Sequence, residues 1–260
     1  MTEHAVAGGL RLALTTLTVA RLRGPEHLDR PTAGWAMRLA PAVGLGLALV
    51  MAGVLSVVDE LTTGPAVLAC TLAVAVHALL TRGLHLDGLA DVADGLGSYS
   101  SPERARQIMK QPDVGALGLA AVVLVLAVQA AALLACVAAG RGVTALLVAV
   151  VTARVAVTAA CTVGVPAASP EGLGAMVAGT VPRHVAPLWA VTVALGGGLL
   201  ADADRAPFWL PAVAVLLGLG TAWLLLRHAV RRFGGMSGDV LGALVETTTA
   251  VVLVVLALDL

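Results

Sequence analysis

The sequence predicts an all-α, polytopic helical integral membrane protein, with about seven transmembrane helices and an N-terminal helix that is interfacial or re-entrant. Hydrophobic residues make up 59% of the chain and charged residues only 12%. A soluble domain has about 25% charged residues, and the mean hydropathy here is +0.96. Apolar runs of about 20 residues also recur along the chain, which is the length that a helix needs to cross a bilayer.

The predicted elements follow one another without a low-complexity linker. Residues 9–23 are too short and too basic to span, so they predict the interfacial or re-entrant helix. Seven apolar stretches then predict one span each: 35–58, 64–81, 114–138, 143–165, 186–201, 207–226 and 240–259. The 29 glycines help such helices to approach closely. We interpret residues 1–260 as a single membrane-embedded domain.

Basic residues cluster in alternate loops between these spans. One set of loops and span ends carries most of them: Arg11, Arg21, Arg23, Arg30, Arg38, Arg82, Arg104, Arg106, Lys110, Arg183, Arg227, Arg231 and Arg232. The opposite loops carry only Arg141 and Arg205. The positive-inside rule therefore predicts a cytoplasmic N-terminus. We expect a multi-pass protein of the cell membrane (plasma or inner membrane), with its active site on the cytoplasmic side.

Three aspartates lie within the segment RGLHLDGLADVADGLGS, which begins at Arg82. The spacings of Asp87, Asp91 and Asp94 place them on one face of a helix, where like charges repel. A divalent cation offsets this repulsion, and Mg²⁺ is usually held by one or two carboxylates together with substrate phosphates. The sequence therefore predicts Mg²⁺ as cofactor, with these three aspartates as its ligands.

A histidine precedes the aspartates by two positions. His85 and Asp87 would not share a helix face, but Gly83 and Gly88 indicate a bend that would let them converge. His85 is either a catalytic ligand or proton carrier, or a residue that binds a backbone carbonyl.

Two further polar features belong to the third and fourth spans. The segment KQPDVGALG begins at Lys110 and opens the third span, and its Pro112 suits a helix start. Such a start is either a phosphate site or an ordinary membrane-entry turn. Arg154 stands alone in the apolar fourth span, where a buried arginine is costly unless it is paired. Its partner is either an acidic side chain or a substrate phosphate.

The segment RRFGGMSGDVLGALVE, which begins at Arg231, opens the last span. Its glycines, Gly235 among them, permit a tight turn, and Ser237 or Asp239 can cap the next helix. Asp239 and Glu246 lie seven positions apart, two turns along one face. Glu246 falls inside an apolar span, where a carboxylate without a role would be costly.

Two of these segments also resemble a known family. HLDGLADVADGL and GGMSGDVLGALVE, in this order and separation, resemble the cobalamin synthases, which are adenosylcobinamide-GDP ribazoletransferases. The resemblance covers nearly the whole chain. It implies a Mg²⁺-dependent membrane enzyme that joins adenosylcobinamide-GDP to α-ribazole or α-ribazole 5′-phosphate. The products would be GMP and adenosylcobalamin or its 5′-phosphate. The acidic motif of the family falls on Asp87, Asp91 and Asp94, with His85 before them.

The chain departs from the family pattern at one place. Where many members read K-D-P-R-V-G, this chain has Gln111 and Asp113 in the second and fourth positions. Asp113 either replaces the acidic residue from a shifted position, or one ligand is missing.

The residues fit attack by an alcohol on phosphorus, which depends on charge neutralisation and positioning. Lys110 and Arg154 would bind phosphate oxygens, and a carboxylate or His85 would accept the hydroxyl proton. Asp239 and Glu246 would complete the metal shell or position ribazole. We also expect Arg82, Asp113 and Gly235 among the substrate-binding residues.

Two other functions are alternatives to this transferase activity. A CDP-alcohol phosphotransferase also uses an Asp-rich helix, but its signature has an Ala-Arg pair where this chain has Ala90 and Asp91. A proton- or cation-coupled transporter more often shows broken helices in both halves of a repeat. We expect no nucleic-acid partner, although the net charge of zero does not itself decide this. Apart from the lipid bilayer, a homo-oligomer is one expected partner, because Gly-rich spans pack within a chain or between copies.

Overall fold

The computed structural model describes residues 2–25, 28–204 and 206–258. Arg205 lies outside the described residues, and so does residue 259, where the last span is predicted to end. Within these ranges the chain forms only helices: α1 (Thr2–Leu17), α2 (Arg30–Leu61), α3 (Val67–Leu80), α4 (Leu84–Gly97), α5 (Pro102–Ile108), α6 (Ala116–Ala138), α7 (Gly142–Ala160), α8 (Gly172–Val177), α9 (Val185–Ala203), α10 (Leu210–Phe233) and α11 (Gly238–Ala257). The predicted all-α class is confirmed.

Six of these helices are long and apolar enough to cross a membrane: α2, α6, α7, α9, α10 and α11. A seventh span exists only if α3 and α4 are counted together, and the chain bends by 88° between them. The predicted span 64–81 was therefore wrong in one respect, because the helix found there is too short to cross a membrane by itself. Its helix, α3, has 14 residues, which cover about 21 Å at 1.5 Å per residue, less than the hydrocarbon thickness of about 30 Å.

The short N-terminal helix is confirmed, but its bounds differ from the prediction. It begins at Thr2 and ends at Leu17, before Arg21 and Arg23, which were included in residues 9–23. It packs tightly on α2, because a Cβ atom at Gly9 would lie 3.0 Å from the backbone nitrogen of Ala36. Its position relative to a membrane stays a prediction.

Helices α7 and α11 form the centre of the bundle. In their most apolar stretches, 83% of α7 and 78% of α11 is buried, against 22% for α6 and for α9. Small residues permit this packing: a Cβ atom at Gly44 of α2 would lie 3.2 Å from the carbonyl oxygen of Val150 in α7. Polar residues of α11 therefore lie in the most buried part of the bundle.

Helix α10 runs further than the sequence predicts. Arg227, Arg231 and Arg232 were placed in a loop after residue 226, but they lie in the last turns of this helix, which continues to Phe233. It ends at Gly234, whose φ of 86° is left-handed and suits glycine. Ser237 then caps α11 by accepting a hydrogen bond from the backbone nitrogen of Val240, at 3.3 Å. The expected cap is thus Ser237 rather than Asp239.

Candidate active site

The bend between α3 and α4 sets the direction of the aspartate-bearing helix. Gly83 adopts a left-handed conformation, and so does Arg82, with φ of 57°, a value that is costly for a residue with a side chain. The Arg82 guanidinium donates hydrogen bonds to the carbonyl oxygens of Thr15 and Thr16, at 3.1 and 3.3 Å. Arg82 therefore braces the bend against the end of α1, and its substrate-binding role stays a prediction.

Gly88 lies inside α4 and not at the bend. A Cβ atom at this position would lie 2.7 Å from the carbonyl oxygen of Asp239, on α11. Likewise, a Cβ atom at Gly242 of α11 would lie 2.9 Å from the carbonyl oxygen of His85. The two glycines let α4 and α11 cross in direct backbone contact, which brings Asp239 next to the acidic face of α4.

Four carboxylates interact electrostatically where these helices cross. Asp91 is half-buried, and the charges of Asp239, Asp87 and Asp94 all act on it. Asp87 is exposed in the first turn of α4. The structure thus brings Asp239, which was expected to complete the metal shell or to position ribazole, next to the acidic trio.

Asp94 has a structural task in this arrangement. Its carboxylate accepts hydrogen bonds from the backbone nitrogens of Gly115, at 2.7 Å, and Gly118, at 2.9 Å. These donors belong to the first turn of α6, where N–H groups lack partners within the helix. Asp94 takes up these two donors, so they do not serve a phosphate, and the phosphate site considered at this helix start stays a prediction. The role of Asp94 as a metal ligand stays a prediction.

The described residues do not form a complete metal cage. In residues 2–25, 28–204 and 206–258, no group of three or more His, Cys, Asp or Glu side chains is arranged to hold a metal ion. Mg²⁺ does not require one, since it is usually bound by one or two carboxylates together with substrate phosphates. The neighbouring Asp87, Asp91 and Asp239 offer hard oxygen donors of this kind, so the residues fit the expected cofactor.

Two cavities border this acidic cluster. One, of about 610 Å³, lies between α4 and α6 and is lined by Asp87 and Arg82. The other, of about 340 Å³, is lined by Asp239 and by Lys110, which follows α5. Lys110 also acts electrostatically on Asp239. Asp113 is exposed and lines neither of these two cavities.

A second polar cluster lies deeper in the bundle. Arg154 is 1% exposed, and its Nη2 atom lies 2.9 Å from Nε2 of His77 on α3. The Glu246 carboxylate acts on it electrostatically and accepts a hydrogen bond from Gln129, at 2.8 Å. The sequence predicted a partner for Arg154 but missed His77 and Gln129, although each is a strongly polar residue in a predicted apolar span. A polar residue in an apolar span indicates that it makes a polar contact, but the sequence does not identify its partner.

His85 joins this buried cluster rather than the aspartates. It is 3% exposed, whereas Asp87, two positions further along the same helix, is exposed. The expected convergence of His85 with Asp87 was therefore wrong, because both residues lie within α4 and face different ways. Its catalytic role, and that of Arg154, stay predictions.

The glycine-rich turn before α11 is fixed by the segment after α7. The backbone nitrogen of Met236 donates to the carbonyl oxygen of Pro166, at 2.9 Å, and that of Ala168 donates to the carbonyl oxygen of Met236, at 2.9 Å. A Cβ atom at Gly235 would lie 2.6 Å from the carbonyl oxygen of Ala167. Gly235 is thus required for close packing, and its substrate-binding role stays a prediction.

The fold and the site define a multi-pass helical membrane protein with an acidic cluster where two of its helices cross. Residues 9–257 match the family model described as cobalamin-5-phosphate synthase. The chain belongs to this family, which confirms the resemblance of the two motifs, and it is a membrane transferase of cobalamin biosynthesis.

Relatives from several bacteria agree with this assignment. The chain is 46% identical over 262 residues to the adenosylcobinamide-GDP ribazoletransferase of Frankia casuarinae, covering 96% of this chain and 94% of that relative. It is 38% identical over 254 residues to the transferase of the same name from Corynebacterium efficiens, covering 96% and 91%. For that of a Nocardioides species the identity is 41% over 243 residues, covering 94% and 95%. No solved structure matches the chain.

Proposed function

We propose that this protein transfers the adenosylcobinamide-phosphate group of adenosylcobinamide-GDP to α-ribazole or its 5′-phosphate. Relatives that match nearly its whole length carry the name of this activity. The structural observation that supports it best is the acidic cluster of Asp87, Asp91 and Asp239, beside cavities of about 610 and 340 Å³. Neither a CDP-alcohol phosphotransferase nor a transporter is supported by the family match.

In the proposed reaction, a ribose hydroxyl oxygen that is free in both α-ribazole and its 5′-phosphate forms a bond with the phosphorus on the cobinamide side of the pyrophosphate. The bond from this phosphorus to the bridging oxygen breaks, and GMP leaves. The hydroxyl proton passes to a carboxylate of the cluster, because Asp87 and Asp239 line cavities whereas His85 is buried. His85 and Arg154 then act by holding α4 and its neighbours in place.

The cluster would hold Mg²⁺ through one or two carboxylates, Asp87 and Asp91, together with substrate phosphates, and Asp239 would add negative charge beside them. When bound, this ion would neutralise charge on the pyrophosphate and stabilise the leaving phosphate. Lys110 lines the cavity that contains Asp239 and supplies a cation for phosphate oxygens. Asp94 supports the site by fixing the start of α6 against α4.

We also propose that the acidic cluster faces the cytoplasm from the cell membrane. The exposed basic residues Arg104, Lys110 and Arg231 lie at the same end of the bundle as the starts of α6 and α11. A surplus of arginine and lysine marks the cytoplasmic side. The donor substrate would then reach the site without crossing the bilayer.

The test is GMP release by purified protein in nanodiscs, with adenosylcobinamide-GDP and α-ribazole as substrates. We expect release with Mg²⁺ and none with EDTA. Asp87→Asn is expected to reduce the rate at least 100-fold, because phosphoryl transfer depends on charge neutralisation at the pyrophosphate. Glu60→Gln, an exposed substitution at the far end of α2, serves as control.

Two results would contradict the proposal. Undiminished release in EDTA would exclude the divalent cation. Wild-type turnover by Asp87→Asn would show that the reaction does not depend on the acidic cluster. Parallel assays with α-ribazole 5′-phosphate identify the preferred acceptor.

A further inference from the structure

A lateral groove lies beside the central helix α7, and its lining includes no residue of the acidic helix α4. Its volume is about 610 Å³, and its walls come from α7, α9, α10 and the segment 164–166. Nearly all lining side chains are apolar, such as Val155, Ala190 and Leu226. Because α7, α9 and α10 each qualify by length and composition as a membrane span, a groove between them would open toward lipid.

One end of this groove is strongly basic. Arg227 and Arg231 line it from successive turns of α10. A third guanidinium lies at the same end, since Nη2 of Arg183 lies 3.5 Å from the place of a Cβ atom at Gly164, another lining residue. Three cations thus surround the mouth of an otherwise apolar groove.

These cations have no acidic partners in the part of the chain that the structure describes. The one ion pair found there joins Arg106 to Glu103. Arg227 instead stacks over the ring of Trp223, 5.2 Å from its centroid, and Trp223 is 55% exposed. A tryptophan beside arginines at the end of a span is typical of the headgroup level of a membrane. The guanidiniums are therefore placed to receive an anion at that level.

We propose that this groove binds an anionic phospholipid. The acyl chain lies along the apolar wall of α7, α9 and α10, and the phosphate pairs with Arg227 and Arg231. Arginine binds phosphate oxygens through a planar fork, and basic pockets between membrane helices bind anionic headgroups. A free phosphate would satisfy the arginines and leave the apolar wall uncovered. A second copy of the chain would cover the wall and leave like charges facing each other.

The groove also borders the functional part of the bundle. Its lining includes Leu244 of α11 and Pro166, and the Pro166 carbonyl oxygen accepts the hydrogen bond that fixes the glycine-rich turn. A bound lipid would thus support the turn that leads to Asp239. This support does not depend on which reaction the acidic cluster catalyses.

The test is native mass spectrometry of the full chain, released from nanodiscs of equal parts phosphatidylglycerol and phosphatidylcholine. We expect the protein to retain one phosphatidylglycerol in preference to phosphatidylcholine. The double variant Arg227→Gln/Arg231→Gln should lower this retention about tenfold or more, because each basic residue near a membrane surface contributes about fivefold to binding. The control Arg21→Gln/Arg23→Gln removes two exposed arginines outside the groove and should retain the lipid.

A second variant tests the apolar wall separately. Ala190→Trp fills the groove without changing any charge, and it lies on α9, whose apolar stretch is only 22% buried. We expect it to lose the bound lipid as well. Equal retention of both lipids by the wild type, or full retention by either groove variant, would overturn the proposal. A lipid-free mass of two chains would show instead that a second copy covers the groove.

Discussion

At the scale of single residues, the aspartates of α4 divide into two kinds that the sequence does not distinguish. Both carboxylate oxygens of Asp94 accept hydrogen bonds from backbone nitrogens at the start of α6. Asp87 is exposed and lines a cavity. Their spacing along the sequence places both carboxylates on one face of α4. Only the packing of α6 against α4 decides which of them stabilises the structure.

This division predicts opposite effects of two similar substitutions. Asp94→Ala removes the acceptor for two N–H groups, so we expect a loss of about 1–2 kcal/mol in stability, as for other helix caps. Asp87→Ala removes no such bond and should leave the melting temperature in detergent unchanged while GMP release falls. Thermal unfolding of both variants checks this. Equal melting temperatures would show that Asp94 does not stabilise the start of α6.

At the scale of elements, the crossing of α4 and α11 decides the geometry of the site. Gly88 and Gly242 were visible in the sequence, and Gly88 was interpreted as part of a bend. In the structure it gives α11 access to the backbone of α4. A helical glycine fits a bend and a close crossing equally well in sequence, because only the neighbouring helix distinguishes them.

Gly88→Ala should therefore separate the two helices. Its Cβ atom would lie 2.7 Å from the Asp239 carbonyl oxygen, which is backbone and cannot move aside alone. We expect a melting temperature lower by several degrees, from about 1–3 kcal/mol of overpacking, and at least tenfold slower GMP release, since a small displacement of catalytic groups is costly. Gly53→Ala in α2 is the matched control, because no atom lies within 4 Å of its Cβ position. Wild-type behaviour of both variants would argue against a tight crossing.

At the scale of the whole molecule, the sequence predicts the class well and the broken span poorly. Composition and the length of apolar runs indicate six spans that the structure contains. The run 64–81 looks like another span, but it ends in α3, and Arg82 and Gly83 turn the chain by 88°. Hydropathy records how apolar a segment is and carries no information on its direction. Hydropathy likewise does not predict the pairing of His77 with Arg154, because this contact depends on how α3 packs near α7.

The arrangement of the spans predicts which loops face the cytoplasm. Thr63, after α2, and Arg104, in α5, lie at opposite ends of the bundle. We expect Thr63→Cys to react with an impermeant maleimide on intact cells, and Arg104→Cys to react only after the membrane is opened. The three native cysteines are buried and give a low background. Labelling of Arg104→Cys on intact cells would place the acidic cluster on the outer side.

The most direct measurement of the central claim is the Mg²⁺ dependence of GMP release in Asp91→Asn. Asp91 is the carboxylate on which Asp87, Asp94 and Asp239 all act, so it is the centre of the proposed metal site. We predict that the variant needs at least tenfold more Mg²⁺ for half-maximal release, or releases no GMP at any Mg²⁺ concentration, while Glu60→Gln follows the wild-type curve. An Asp91→Asn curve that coincides with the wild type in both Mg²⁺ requirement and maximal rate would contradict a metal-assisted transfer at this cluster.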